Sequence, residues 1–201
     1  MTNATQAARL LRYVRSHGIV RPRDLESIQV DRRVLKRLFD CGELVRRSRG
    51  VYTMPDHEAT RHTELAEVCA RAPTATVCLI SALDFHELTT QIAHAVWIMI
   101  DRAARRPKIE QPRIHVVYAS GEALEAGLEL HEIEGVRVRI TGPAKTVADC
   151  FKYRAHVGHD VGVEALRDCL GQRKATPAQI YGMAKIDRVT KTVRPYLEAL
   201  T

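Results

Sequence analysis

The sequence predicts an α+β protein built from a small basic helical head and a larger, neutral body of mixed strands and helices. Three observations carry that prediction. Charge is segregated: residues 1–55 hold 12 basic and 5 acidic side chains, a net +7, whereas residues 56–201 hold 19 of each, a net zero. The apolar pattern is helical at both ends of the chain and strand-like in the middle. Between head and body, Pro55–Thr60 is polar, charged and without periodicity, which marks a linker.

Composition narrows the class. With 45% hydrophobic and 27% charged residues, the chain is an ordinary globular one and not disordered, collagen-like or a coiled-coil rod. Its 201 residues have room for a small domain plus a medium one. The longest apolar runs, Val77–Leu83 and Ala93–Ile100, fall well short of the roughly 18 residues of a membrane span. Met1–Arg15 lacks the apolar stretch of a secretory signal. Five cysteines, odd in number and irregularly spaced, suggest no disulfide framework. A cytoplasmic protein with no membrane contact is expected.

In the head, Ala7, Leu10, Leu11 and Val14 recur at helical spacing between Arg9, Arg12 and Arg15, and Gly18 ends that helix. Proline suits a first helical turn, so a second short helix is expected from Arg21-Pro22 to about Ile28. Asp31 is the expected N-cap of a third helix, Arg32–Asp40, ended near Gly42. Val34, Leu35, Leu38 and Phe39 form its expected buried stripe, leaving Arg32, Arg33, Lys36 and Arg37 on the other side. Leu44–Arg47 and Gly50–Thr53 read as two short strands around the basic turn Arg46-Arg47-Ser48-Arg49-Gly50.

Three helices and a hairpin within about fifty residues describe a winged helix-turn-helix. A helix with four cations on its free face suits the major groove, where arginine reads guanine bidentately. Cations of the wing, Arg46, Arg47 and Arg49, then meet phosphates or the minor groove. The domains expected are residues 1–55 for DNA binding, a linker at about 56–60, and residues 61–201.

In the body, Arg61–Arg71 is amphipathic, with Leu65, Val68 and Cys69 inward, and stops at Ala72-Pro73. A strand is expected at Thr76–Leu79 and a helix at Ser81–Leu88. Ala95–Ile100 reads as a buried strand and Arg113–Ala119 as an alternating one, with Ile114, Val116 and Tyr118 set against His115 and Val117. A short helix at Gly121–Glu125 precedes two strands, Leu128–Ile133 and Val136–Ile140, joined by a Glu134-Gly135 turn. Four helices close the chain: Pro143–Arg154, Asp160–Gln172, Thr176–Ile186 and about Thr190–Leu200.

Several stretches resemble one family. The turn R-S-R-G-V-Y-T-M-P (Arg47–Pro55) follows the basic helix. Further on come T-E-L-A-E-V-C-A-R-A-P (Thr63–Pro73), C-L-I-S-A-L-D-F-H-E-L-T-T-Q (Cys78–Gln91) and A-V-W-I-M-I (Ala95–Ile100). The likeness continues in P-A-K-T-V-A-D-C-F-K-Y-R (Pro143–Arg154) and the tail R-P-Y-L-E-A-L (Arg194–Leu200). Together they resemble the AbiEi antitoxins, transcriptional regulators of type IV toxin–antitoxin systems. The resemblance implies a head that binds inverted repeats in double-stranded DNA at its own promoter and represses a toxin–antitoxin operon. It implies an antitoxin domain over 61–201 that opposes a nucleotidyltransferase-like toxin, without a stable complex being required. Some members of the family are stand-alone regulators.

The residues offer little else by way of chemistry. His57 and His62, and His156 and His159, lack cysteine or carboxylate companions at zinc-ligand spacing, and no Cys-x-x-Cys occurs, so no metal is expected. Phe85 and His86 read as a packing pair, and Trp97 as core. Lys145, Asp149 and Lys152 recur at helical spacing; Lys145 and Asp149 form an i,i+4 pair worth about a few tenths of a kcal/mol. That pattern is first a helix-stabilising one, and the three residues are also candidates for an interface or for antitoxicity. No phosphate-binding loop, dinucleotide fingerprint or nucleophile elbow is present. Nor is there a Gly-Ser followed by the Asp-x-Asp of a nucleotidyltransferase. No catalytic residue and no cofactor are assigned. The alternatives are a nucleic-acid-processing enzyme using Asp84, Asp149 and Lys145, and a body that serves as a protein-interaction module.

Overall fold

The computed structural model of the protein describes residues 3–200, with side chains from Thr5 onward. Met1 and Thr2, which open the N-terminal segment, and Thr201, which closes the second expected domain, lie outside the described residues. The architecture is mixed α/β with two sheets. The chain divides into two compact units, Met1–Pro73 with Glu132–Val138, and Thr74–His131 with Arg139–Thr201. No helix among the described residues is long and apolar enough to cross a membrane.

In the first unit, helix α1 (Asn3–His17) buries Leu10 and Val14 and ends at Gly18, whose N–H donates to the Val14 carbonyl and whose positive φ turns the chain out of the helix. Strand β1 (Ile19–Val20) follows, and its two residues are too few to show a periodicity in the sequence. The second helix expected from Arg21 to Ile28 is instead a run of turns, Pro22–Gln29. Asp24 explains this. Its carboxylate accepts the Arg21 backbone N–H and both arms of the Arg21 guanidinium, while Asp24 N–H donates to the Arg21 carbonyl. Local three-residue closures thereby replace a helical ladder.

Helix α2 (Arg32–Asp40) forms as the sequence predicts, with the Asp31 carboxylate accepting the Arg33 N–H at 2.7 Å. Strands β2 (Val45–Ser48) and β3 (Val51–Thr53) complete a three-stranded antiparallel sheet in the order β1-β3-β2. Val34, Leu35 and Leu38 join Leu10, Val14, Leu25 and Leu44 in one core. Phe39 does not; it is 40% exposed and meets Tyr52 edge-on. Helix geometry explains the difference. At about 100° per residue, Val34, Leu35 and Leu38 fill an arc of about 100°, and Phe39 lies about 40° beyond it, toward the polar side.

Helix α3 (Thr63–Arg71) is buried along most of its length. Before it, residues 54–62 have no regular structure but are held in place: Glu134 accepts hydrogen bonds from Thr60 at 2.7 Å and Thr63 at 2.5 Å, and lies 3.3 Å from His57. Burial alone would raise the Glu134 pKa, but these donors outweigh it and hold the carboxyl below its ordinary value.

The second unit carries a five-stranded mixed sheet in the order β6-β5-β4-β8-β7. Its strands are β4 (Thr76–Val77), β5 (Val96–Asp101), β6 (Ile114–Ala119), β7 (Leu128–Ile133) and β8 (Val136–Thr141). Strand β4 pairs antiparallel with β5 and parallel with β8, and β5 runs parallel to β6. The tip of the β7–β8 hairpin groups with the first unit. Both of its turn residues, Glu134 and Gly135, take positive φ, as a tight hairpin turn demands. Along β6 burial does not follow the expected alternation: Ile114, Val117 and Ala119 are buried, while Tyr118 is exposed. As the edge strand, β6 has its burial set by what covers each face and not by apolar alternation alone.

Helices α4 (Leu79–Phe85), α5 (Glu122–Glu125), α6 (Pro143–Lys152), α7 (Arg154–Val157), α8 (His159–Gly171), α9 (Pro177–Ile186) and α10 (Thr190–Leu200) surround that sheet. Thr176 and Gln179 form a reciprocal capping box that starts α9. Helix α6 is central: every residue from Lys145 to Phe151 is buried. Val147, Ala148, Cys150 and Phe151 pack with Leu79, Leu83, Leu166, Ile180 and Val193, which come from α4, α8, α9 and α10.

Candidate functional site

The first unit presents its cations on α2. Arg32, Arg33, Lys36 and Arg37 are all exposed, and helix geometry places them within an arc of about 140° opposite the buried stripe. The helix is short and held rigidly from beneath by Val34, Leu35 and Leu38, so the four charges form one face.

The hairpin cations do not behave alike. Arg46 and Arg49 are exposed, Arg49 at the tight turn where Gly50 takes φ +77°. Arg46 donates weakly to the Ser48 carbonyl at 3.4 Å. Arg47 turns to α3, where its Nε lies 3.6 Å from the mostly buried Glu67 carboxylate. Burial raises the Glu67 pKa and Arg47 opposes that rise. All seven predicted DNA-binding residues are therefore exposed, and Arg47 is divided between solvent and Glu67. Glu67 was out of reach of sequence reasoning, since twenty residues separate the pair and only folding brings them together.

In the second unit, Lys145 and Asp149 meet as their helical spacing predicts, Nζ to Oδ1 at 2.5 Å. The surprise is Asp187, just past the end of α9, whose oxygens lie 2.9 and 3.0 Å from Lys145 Nζ. Lys152 Nζ completes the cluster, 3.0 Å from Asp187 Oδ1. Lys145 is 1% exposed, Asp149 0% and Asp187 5%. What the sequence suggests is a local helix pair is a sealed bridge between α6 and the turn after α9. Burial, reinforced by the nearby Asp187, pushes the Asp149 pKa up to about 7 against the opposing pull of Lys145. Burial would lower the Lys145 pKa, but the two carboxylates outweigh it and raise it. Asp149 Oδ2 is buried without a hydrogen-bond partner.

The remaining candidates pack. His86 is buried, and its Nε2 donates to the Thr141 carbonyl at 2.8 Å, which fixes the tautomer because a carbonyl only accepts. Burial lowers its pKa despite that bond. Phe85 lies edge-on to it. Trp97 is half-buried against the core and stacks on His115 with ring centroids 4.4 Å apart. Among the described residues, no three His, Cys, Asp or Glu side chains gather as metal ligands would.

A rigid cationic helix on a small helical unit, beside a basic hairpin, is the surface by which regulators address a nucleic acid. Residues 8–55 match the family model described as the transcriptional regulator AbiEi antitoxin, so the resemblance read from the sequence stands for that segment. None of the curated proteins matches the chain. Among solved structures, the RV2827C protein from Mycobacterium tuberculosis is similar, with a TM-score of 0.58 and 16% identity, over 90% of this chain and 71% of that one. At that identity the likeness speaks for the fold alone.

Proposed function

We propose that this protein is a DNA-binding antitoxin that represses its own toxin–antitoxin operon. In this reading the head is a winged helix-turn-helix. Helix α2 lies in the major groove with Arg32, Arg33, Lys36 and Arg37 toward bases and phosphates, and Arg46, Arg47 and Arg49 of the hairpin touch the flanking backbone. The operator is an inverted repeat upstream of its own gene. The observation that carries the reading is the exposed cationic face of α2, backed by a buried apolar stripe, inside the segment that matches a family of transcriptional regulators.

The domain over 61–201 counteracts a nucleotidyltransferase-like toxin, with no stable complex required. Lys145, Asp149 and Lys152 serve this role by holding α6 and the turn after α9 in one shape, since the first two are sealed from any partner. The same burial speaks against a nucleic-acid-processing enzyme that would use Asp149 and Lys145 on a substrate. A cytoplasmic location fits a regulator of transcription.

Fluorescence anisotropy of the purified chain tests the reading, using its own upstream DNA and a scrambled duplex of equal length at three salt concentrations. Tighter binding to the native duplex by about a hundredfold or more, with a steep salt slope, is the expected result. Equal, weak binding to both duplexes overturns the repressor reading.

A further inference from the structure

A polar groove of about 620 Å³ opens in the second unit where the parallel strands β5 and β6 end at their carboxyl edges. Arg102, just past β5, Lys152 at the end of α6, and Lys185 and Arg188 around the end of α9 all line it. Four cations from three separate segments thus converge in a part of the chain with no excess charge. Opposing them are Glu122 and Asp187, and Asp187 is already shared between Lys145 and Lys152.

Lys152 and Lys185 have an ordinary explanation. Each stands in the last turn of a helix, where a cation offsets the partial negative charge of the carbonyl end. Lys185 also lies 5.0 Å from the Tyr181 ring. Arg102 and Arg188 have no such explanation. Both are exposed, and neither has a carboxylate partner among the described residues. Arg188 moreover occupies the left-handed position after α9, with φ +59°, where glycine would be less strained. Two planar guanidinium groups facing one cleft, with ammonium groups alongside, suit a compact ligand of several negative charges and planar oxygen pairs. The carboxyl edge of adjacent parallel strands is also where α/β sheets commonly hold ligands. The volume lies within the range of small-molecule sites, about 300–1,000 Å³.

We propose that this groove binds a di- or triphosphate group, carried by a nucleotide or free as inorganic polyphosphate. Arg102 and Arg188 grip the phosphates, Lys152 and Lys185 flank them, and Glu122 limits the affinity. The proposal is independent of the DNA-binding reading, because no residue of the head takes part.

Isothermal titration calorimetry on the full chain tests it, with ATP and inorganic tripolyphosphate as probes. A variant carrying Arg32→Ala, Arg33→Ala, Lys36→Ala and Arg37→Ala controls for polyanion binding by the head. Saturable binding of one ligand per chain is expected, retained in the head variant. Arg102→Ala with Arg188→Ala should weaken it about tenfold or more, since charge-assisted bidentate bonds are lost. Glu122→Gln should tighten it. Both changes fall on exposed side chains, so folding is not at stake, and circular dichroism checks this. ATP tighter than tripolyphosphate identifies a nucleotide site; equal binding identifies a polyphosphate site. No saturable binding of either probe by about 1 mM, a level that corresponds to only about 4 kcal/mol, overturns the proposal. So does binding that the arginine double variant leaves unchanged, or that the head variant abolishes.

Discussion

Lys145→Met is the substitution that probes the second unit most directly. Methionine keeps the length and apolar body of the side chain, so packing against its neighbours changes little. What it removes is the charge at the centre of the buried cluster. Asp187 retains Lys152 at 3.0 Å, whereas Asp149, 0% exposed, loses the ammonium that bonds it. Breaking a buried pair from one side costs about 3–5 kcal/mol when the remaining charge must stay ionised. Asp149, with its pKa already pushed up to about 7, escapes part of that cost by taking a proton. The penalty is therefore largest near pH 8 and falls toward the cost of an unmade hydrogen bond, about 1–3 kcal/mol, near pH 5. Thermal unfolding followed by circular dichroism reads this as a drop of about 6–20 °C in Tm at pH 8, at about 2–4 °C per kcal/mol for a chain of this size. Adding Asp149→Leu should restore much of the loss, because an apolar pair replaces the orphaned carboxylate. A single variant that loses less than about 1 kcal/mol at pH 8, or the same amount at pH 5 and pH 8, would refute the reasoning.

Further outcomes follow from the same geometry. In the wild-type chain, the raised pKa of Asp149 makes its contribution to stability full below the unfolded-state value near 4 and lost as pH rises through about 7. Urea unfolding from pH 4 to 8 should show that decline, and Asp149→Asn should flatten it. For DNA binding, contact with phosphates by five of the seven head cations gives a slope of log affinity against log salt of about −4.5 per protomer. Arg46→Ala and Arg49→Ala should each reduce that slope by about 1, and Arg47→Ala by less, because Glu67 already neutralises part of its charge. Gly127→Ala should destabilise by about 1–3 kcal/mol in chemical denaturation. Its φ is +65°, and a Cβ there would stand 2.8 Å from the Lys145 Cβ. Asp31→Ala, which removes the α2 cap, should cost about 1 kcal/mol and weaken DNA binding by fraying the recognition helix.

What the amino-acid sequence determined by itself is everything carried by short-range pattern. Helix α2, with its Asp31 cap, its Val34–Leu35–Leu38 stripe and its four cations, is legible because a helix places residues three and four apart on one face. The strands around Glu134-Gly135 and the α9 start at Thr176-Pro177 are legible for the same local reasons. Where another interaction competes with it, the pattern misleads. The Asp24 carboxylate turns an expected helix into turns, and edge position decides which side of β6 is buried. Only the tertiary structure could bring Asp187 to Lys145 across forty-two residues, Glu67 to Arg47, or Arg102 and Arg188 to one groove. Those pairings are set by how helices and strands pack, and charge–charge proximity between distant segments leaves no periodic trace in the chain.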